Sequence, residues 1–271
     1  MTPRLVVSDV DGTLITSQER VTQRLRDAIA LLDGRAQFAL ATGRPPRWIF
    51  PILEQLPLRP VCVCANGAVL YDSANDKVLH ATNLAPGAMR SIVRTAREAL
   101  PGGCSVAVER VGESAFEHPE TLFVVTPEYI HAWESSEHGV AEEEEILAKP
   151  AMKLLLRSEH LTASQMLEAV GPHIPAELAH VTFSFDGGLL EVSAPGVVKA
   201  HALKILAEDL GIDREDVLAF GDMPNDIEML RWAGHGVAMA NADPRVKKAA
   251  DEVTAANDDF GVARVLERIF S

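Results

Sequence analysis

The chain has 271 residues, and its 25 Lys+Arg stand against 39 Asp+Glu for a formal net charge of −14 with histidine neutral. A protein this acidic lacks the clustered cations that release counterions from a nucleic-acid backbone or hold an anionic membrane surface, so neither is an expected partner. With 47% hydrophobic and 24% charged residues the composition is globular, enough for one large domain or two moderate ones.

Leu5-Val6-Val7-Ser8 is a short apolar run ending at Asp9, too short for a secretory or bilayer-spanning segment. A Gly-containing turn and a helical pattern from Arg24 to Leu32 follow. Ala36 to Leu40 repeats the strand and closes at Thr42-Gly43, before a helix starting near Pro45-Pro46, where proline is tolerated in a first turn. Val61-Cys62-Val63-Cys64 is a third strand, ending at Asn66-Gly67. Its two cysteines read as core residues. With Cys104 they make an odd number and no disulfide framework, which fits a reducing, cytoplasmic setting. Strand, polar turn and helix in repetition predict a parallel sheet with crossover helices. An apolar content rich in Ala, Val and Leu agrees with that better than with a sandwich.

From about Asn83 the texture changes. A helix from Ala88 to Leu100 precedes short runs punctuated by Gly and Pro: Cys104 to Glu109, Leu122 to Thr126, Met152 to Arg157 and Val181 to Phe185. Residues 83–190 carry 7 basic and 16 acidic side chains, a net −9 that leaves −5 for the rest, and they hold six of the nine histidines. After Pro195-Gly196 the earlier rhythm returns, with a helix from Lys199 to Leu210, a strand Val217 to Phe220, a helix around Asp226 to Trp232, a strand Gly236 to Met239 and a terminal helix Gly261 to Ile269. The expected architecture is therefore α/β: a doubly wound, Rossmann-like parallel-sheet core from residues 1–82 and 191–271, interrupted by an α+β domain over 83–190.

Asp9-Val10-Asp11-Gly12-Thr13 stands at the carboxyl end of the first strand, where open α/β sheets bind ligands; an Asp-Gly turn is also ordinary loop chemistry. Thr42-Gly43-Arg44 closes the second strand with a hydroxyl and backbone N–H groups, a phosphate cradle or a plain helix cap. Gly221-Asp222-Met223-Pro224-Asn225-Asp226 closes a later strand and adds two acids in a turn, or is itself only a capped helix start. Lys199 opens a helix, where a cation opposes the helix dipole; a solvated surface lysine is its plain alternative.

Taken together, in this order, these motifs resemble the haloacid dehalogenase superfamily of phosphotransferases. The resemblance extends to its Cof-type capped phosphatases through Asn66-Gly67-Ala68, Leu190-Glu191-Val192, Gly196-Val197-Val198-Lys199, Met239-Ala240-Asn241-Ala242 and Asn257-Asp258-Asp259-Phe260-Gly261-Val262. It implies a Mg²⁺-dependent phosphatase of a small phosphorylated metabolite. In that reading Asp9 is the nucleophile and Asp11 the general acid and base. Asp9, the Asp11 carbonyl and Asp222 hold Mg²⁺, with Asp226 acting behind them or through water. Thr42, Gly43, Lys199 and Asn225 serve the phosphate, and Arg44, Asn66 and Gly67 lie on the substrate side. Residues 83–190 become a cap that selects the substrate.

The chain departs from the family pattern in two places: at Ala200, where glycine is usual, and at the pair Met223-Pro224, where small or polar residues are. A phosphomutase of the phosphomannomutase kind and a non-catalytic phosphometabolite-binding protein are the rival readings. The first is separated by phosphate release without a bisphosphate activator. The second is disfavoured by the presence of Asp9, Asp11 and Asp222. The expected partner is a small phosphate ester, and the expected state a monomer or small homo-oligomer.

Overall fold

A computed structural model of the protein describes residues 2–131 and 137–271. The chain opens with β1 (Leu5–Ser8), α1 (Gln23–Ala30), β2 (Gln37–Ala41), α2 (Phe50–Leu53), β3 (Val61–Cys64), β4 (Val69–Asp72) and β5 (Lys77–Ala81). Its middle holds α3 (Pro86–Ala99), β6 (Ser105–Glu109), α4 (Pro119–Leu122), β7 (Phe123–Val125), β8 (Gly139–Val140), α5 (Glu143–Ile146), β9 (Lys153–Arg157), α6 (Ala163–Val170), β10 (His180–Thr182) and β11 (Leu189–Ser193). The last stretch runs α7 (Lys199–Leu210), β12 (Val217–Gly221), α8 (Ile227–Trp232), β13 (His235–Ala238), α9 (Pro244–Ala249), β14 (Glu252–Val253) and α10 (Gly261–Phe270). These elements form two compact units, Met1–Leu79 with Val198–Ser271, and His80–Val197. No helix among the described residues is long and apolar enough to cross a membrane.

The first unit is built on a sheet in the order β14-β13-β12-β1-β2-β3-β4-β5. β1 pairs in parallel with β12 on one side and β2 on the other. Leu5, Val6 and Val7 are fully buried, and this run shows no polar alternation because both faces of a central parallel strand are covered. Burial of each such side chain contributes about 1.5–3 kcal/mol. From β1 the chain winds outward to β2 and β3; on its return it winds the other way, through β12, β13 and β14. The direction of winding thus reverses between β1 and β12, and the carboxyl ends of those two strands border the crevice where such sheets bind ligands.

The helices follow from their sequences. Thr22 caps α1, its hydroxyl oxygen accepting from Leu25 N at 3.3 Å, and α7 stops at Gly211, which takes the left-handed conformation (φ 62°). The helix expected near Pro45-Pro46 is a 3₁₀ turn, Pro46–Trp48, followed by the four-residue α2. Pro51 inside that stretch has no N–H to give, so one continuous helix cannot run through it. β4 is a strand that the apolar pattern did not announce; it returns antiparallel to β3.

The second unit has its own sheet, in the order β10-β11-β9-β6-β7-β8. Its described pairings are antiparallel except β7 with β8. Leu190, Glu191 and Val192 lie in β11 of this sheet. Lys153 of β9 and Glu191 of β11 form a buried ion pair at 2.5 Å, and the Ser184 hydroxyl donates to the other Glu191 oxygen.

Candidate active site

The site begins where β1 runs out. Asp9 N–H still donates to Phe220 O of β12, at 3.0 Å, so the backbone is fixed where the first carboxylate leaves it. Residues Val10–Leu14 then make one wide turn, closed by Ile15 N–H donating to Val10 O at 3.1 Å. Gly12 sits there at φ 75°, and a Cβ in its place would lie 2.4 Å from Asp222 Oδ2. A glycine is required on both counts, because no other residue adopts that backbone freely or lets the two acidic turns approach so closely. Thr13 Oγ1 donates to Asp222 Oδ1 at 2.7 Å, tying the turn after β1 to the turn after β12.

Lys199 explains itself at this point. The first residue of α7 is fully buried, and its Nζ donates to Asp9 Oδ1 at 2.5 Å and to Asp226 Oδ1 at 2.6 Å. The unfavourable position at a helix N-terminus is outweighed by two carboxylates, since a buried ammonium persists only when paired. Asp226 Oδ2 accepts from Asp222 N (2.9 Å) and Met223 N (3.0 Å), so one of its oxygens shapes the Gly221–Asp226 turn while the other holds Lys199. Met223-Pro224, the departure noted in the sequence, fits this turn: Pro224 opens a short 3₁₀ segment, where a missing N–H costs nothing.

Carboxylate oxygens of Asp9, Asp222 and Asp226 lie within 4.8 Å of one another. Burial pushes the Asp9 carboxyl well above its ordinary range; Lys199 opposes this, while Asp226, Asp222 and Asp11 reinforce it. Asp222 is pushed up to about 6, first by burial and then by Asp226, against the Thr13 hydrogen bond and Lys199. For Lys199, burial favours the neutral amine, but Asp226 and Asp9 outweigh it and hold the ammonium above the ordinary lysine range. The cluster therefore carries more negative charge than one lysine balances.

Asp11 differs from Asp9 in every respect. Its side chain is 53% exposed and is gripped by Arg44, with Nε donating to Oδ2 at 2.9 Å and Nη2 to Oδ1 at 2.5 Å. Arg44 also reaches Glu19 at 3.3 Å, a residue that nothing in the sequence marked. Thr42 is fully buried, and its Oγ1 accepts from Arg44 N at 3.0 Å. Ser8 pairs with Leu40, so Asp9 and Thr42 leave adjacent strands at the same edge of the sheet, with Gly43 next along. After β3, Ala65 and Asn66 both take positive φ. Asn66 Oδ1 accepts from Asn225 Nδ2 at 2.9 Å, while Asn225 Oδ1 is buried without a partner among the described residues. Gly67, at φ 98°, packs so tightly on α7 that a Cβ would lie 2.2 Å from Val198 O. The structure thus gathers Asp9, Asp222, Asp226 and Lys199 into one cluster, pairs Asp11 with Arg44, and pairs Asn66 with Asn225.

Known proteins share this architecture. A solved phosphatase of the haloalkanoate dehalogenase superfamily from Bacteroides thetaiotaomicron, BT1666, matches with a TM-score of 0.81 over 99% of this chain and 95% of its own, at 24% identity. The fold is therefore that of the haloacid dehalogenase class. The sequence model of the haloacid dehalogenase-like hydrolases matches residues 6–266, and the chain belongs to that family as a hydrolase of the phosphatase type. Two curated relatives align over almost their whole length: the pyridoxal phosphate phosphatase YbhA of Escherichia coli, 28% identical over 98% of each chain, and the 5-amino-6-(5-phospho-D-ribitylamino)uracil phosphatase YitU of Bacillus subtilis, 26% identical over 99% of this chain and 98% of its own.

Proposed function

We propose that this protein is a Mg²⁺-dependent phosphatase that hydrolyses a small phosphate ester through a phospho-aspartate at Asp9. The observation that carries the reading is the buried cluster of Asp9, Asp222 and Asp226 around Lys199, at the edge where β1 and β12 end. The donor set suits Mg²⁺: hard carboxylate oxygens, with no sulfur or imidazole among them. The Asp222 carboxyl, raised first by burial and then by Asp226, is one whose ionised form a dication would favour. Asp9, Asp222 and the Asp11 carbonyl would hold the ion, while Asp226, its oxygens already committed to Lys199 and two amides, keeps the turn in shape. When bound, the ion supplies charge neutralisation of the phosphoryl oxygens, a term worth several kcal/mol.

The protein's own residues do the rest. A phosphomonoester resists attack because its anionic oxygens repel a nucleophile, so the site must hold it in line and offset its charge. Lys199, Thr42 and the Gly43 amide bind the phosphoryl group. The Asp9 carboxylate attacks phosphorus as the ester P–O bond breaks, and Asp11 delivers a proton to the leaving oxygen. Water then attacks the phospho-aspartate, with Asp11 taking its proton, and Asp9 is regenerated with release of phosphate. Acid–base help of this kind contributes about 10²–10⁴-fold.

The second unit is the natural selector of the substrate. YbhA and YitU act on pyridoxal phosphate and on a phosphoribityl compound, and small phosphorylated metabolites of that kind form the substrate class proposed here. The test is release of inorganic phosphate from a panel of such esters. Asp9→Asn is expected to abolish release while the protein stays folded, and EDTA to remove activity that Mg²⁺ restores. Turnover by Asp9→Asn close to that of the parent would refute the nucleophile assignment.

A further inference from the structure

We propose that Asn241, itself braced by Asn257, is a positioning residue that fixes the Asp9–Thr13 turn and so aims the Asp11 carbonyl at the metal; the metal part rests on the function proposed above. The turn needs such a brace. Its own closure, Ile15 N–H to Val10 O, leaves the carbonyls of Gly12 and Ile15 without a backbone partner from inside the turn. Gly12 at φ 75° has no Cβ to restrict rotation, so sterics alone do not fix the peptide planes on either side of it. One of those planes contains the Asp11 carbonyl.

Two asparagines far along the chain supply the restraint. Asn241 Nδ2 donates to Gly12 O at 2.8 Å. Asn257 N–H donates to Asn241 Oδ1 at 3.1 Å, which orients that amide, and Asn257 Nδ2 donates to Ile15 O at 2.9 Å. Next to them, Asp258 Oδ1 accepts from Ser17 N at 2.8 Å. The loop carrying Asn241 is also tied to the second acidic turn, since Met239 N donates to Gly221 O at 3.1 Å and Asp243 N to Asp222 O at 2.9 Å. One polar relay therefore sets the turn after β1 against the turn after β12, through residues outside the four acidic, hydroxyl and lysine motifs. Asn241 lies at the surface, so it has no core to fill; its two bonds are its structural content.

The experiment compares the parent with Asn241→Ala and Asn257→Ala. Amide hydrogen exchange is followed over residues 10–15 in EDTA, Mg²⁺ affinity by calorimetry without substrate, and kcat and KM with p-nitrophenyl phosphate. Asn241→Ala is expected to speed exchange about tenfold and to weaken Mg²⁺ binding and kcat by about 10–100-fold, as outer-sphere partners of metal sites do. KM and the melting temperature should stay close to the parent's, a split that a merely structural staple would not give. Asn257→Ala, which removes the side-chain bond to Ile15 O but keeps the N–H that orients Asn241, should move the same quantities by a smaller factor, and it decides the matter should Asn241→Ala fail to fold. Exchange and Mg²⁺ affinity within about twofold of the parent's would overturn the proposal. A parent that binds no Mg²⁺ defeats the functional reading instead, and unchanged exchange in EDTA would still overturn the bracing of the turn on its own.

Discussion

Removing one charge from the acidic cluster should strengthen the metal-free protein while destroying its activity. In the folded state Asp222 is pushed up to about 6 from an ordinary 3.8, first by burial and then by Asp226. A carboxyl with a raised value holds its proton more tightly folded than unfolded. Its destabilising effect is therefore absent below about pH 3.8, grows as pH rises, and is complete above about pH 6. At about 1.36 kcal/mol per pH unit the penalty at neutral pH is ~3 kcal/mol. Asn keeps an acceptor for the Thr13 hydroxyl and carries no charge, so Asp222→Asn should recover most of that. With roughly 2–4 °C per kcal/mol for a chain of this size, the variant should melt roughly 6–12 °C higher than the parent in EDTA at pH 8. The gap should close as pH falls toward 4. Differential scanning calorimetry over that pH range measures it. A variant that melts lower than the parent, or by the same offset at every pH, would refute the idea that uncompensated charge strains the site.

Lys199→Met should act in the opposite sense. It strands the Asp9 and Asp226 carboxylates without their cation, an error that costs about 3–5 kcal/mol at buried pairs, and a urea titration showing no loss would contradict the pairing. Gly67→Ala should misplace the start of α7, because its Cβ would stand 2.2 Å from Val198 O at φ 98°. The control is Gly34→Ala, where φ is also positive (65°) but nothing lies within 4 Å. Both pay the left-handed backbone penalty of order 1–3 kcal/mol, so only Gly67→Ala should also lose kcat, and equal kinetics in the two would count against the contact.

The strands that matter to the site were legible because they are continuous apolar runs of the kind a buried parallel sheet demands; Leu5 to Ser8 and Val217 to Phe220 needed no more than that. β4 and β11 were not, since each begins within a few residues of a neighbouring turn and neither stands out from the apolar text around it. The acidic residues could be located at strand ends, but not their environments. Nothing in the local sequence of Asp9 and Asp11 says that one is buried on Lys199 and the other held by Arg44, because those partners are distant in the chain. Lys199 came nearest to announcing itself: a cation where the helix dipole disfavours one has to be justified elsewhere. Asn241 and Asn257 stood in motifs that carried the family resemblance, but with no physical sign of a role. Asparagine in a loop is ordinary chemistry, and only the carbonyls these two face give them meaning. Lys153, a charged residue opening the apolar run Leu154 to Leu156, was a signal of the same kind as Lys199, and its answer is Glu191.

The Asp9–Lys199 pair spans 190 positions of sequence, and that separation has a consequence for biosynthesis. A ribosome adding about 5–20 residues per second takes roughly 10–40 s to travel from one partner to the other. For that time β1 lacks the strand that flanks it on one side, and Asp9 lacks its ammonium. The nascent chain carries a carboxylate in an unfinished, water-filled setting, where it remains ionised at little expense. The whole middle unit is translated before the first site residue is neutralised, so the site is incomplete until the ribosome has passed both Lys199 and β12. Release factors acting early, or a stop codon before Val217, would leave not a weak enzyme but an open sheet edge, which is chiefly a substrate for chaperones.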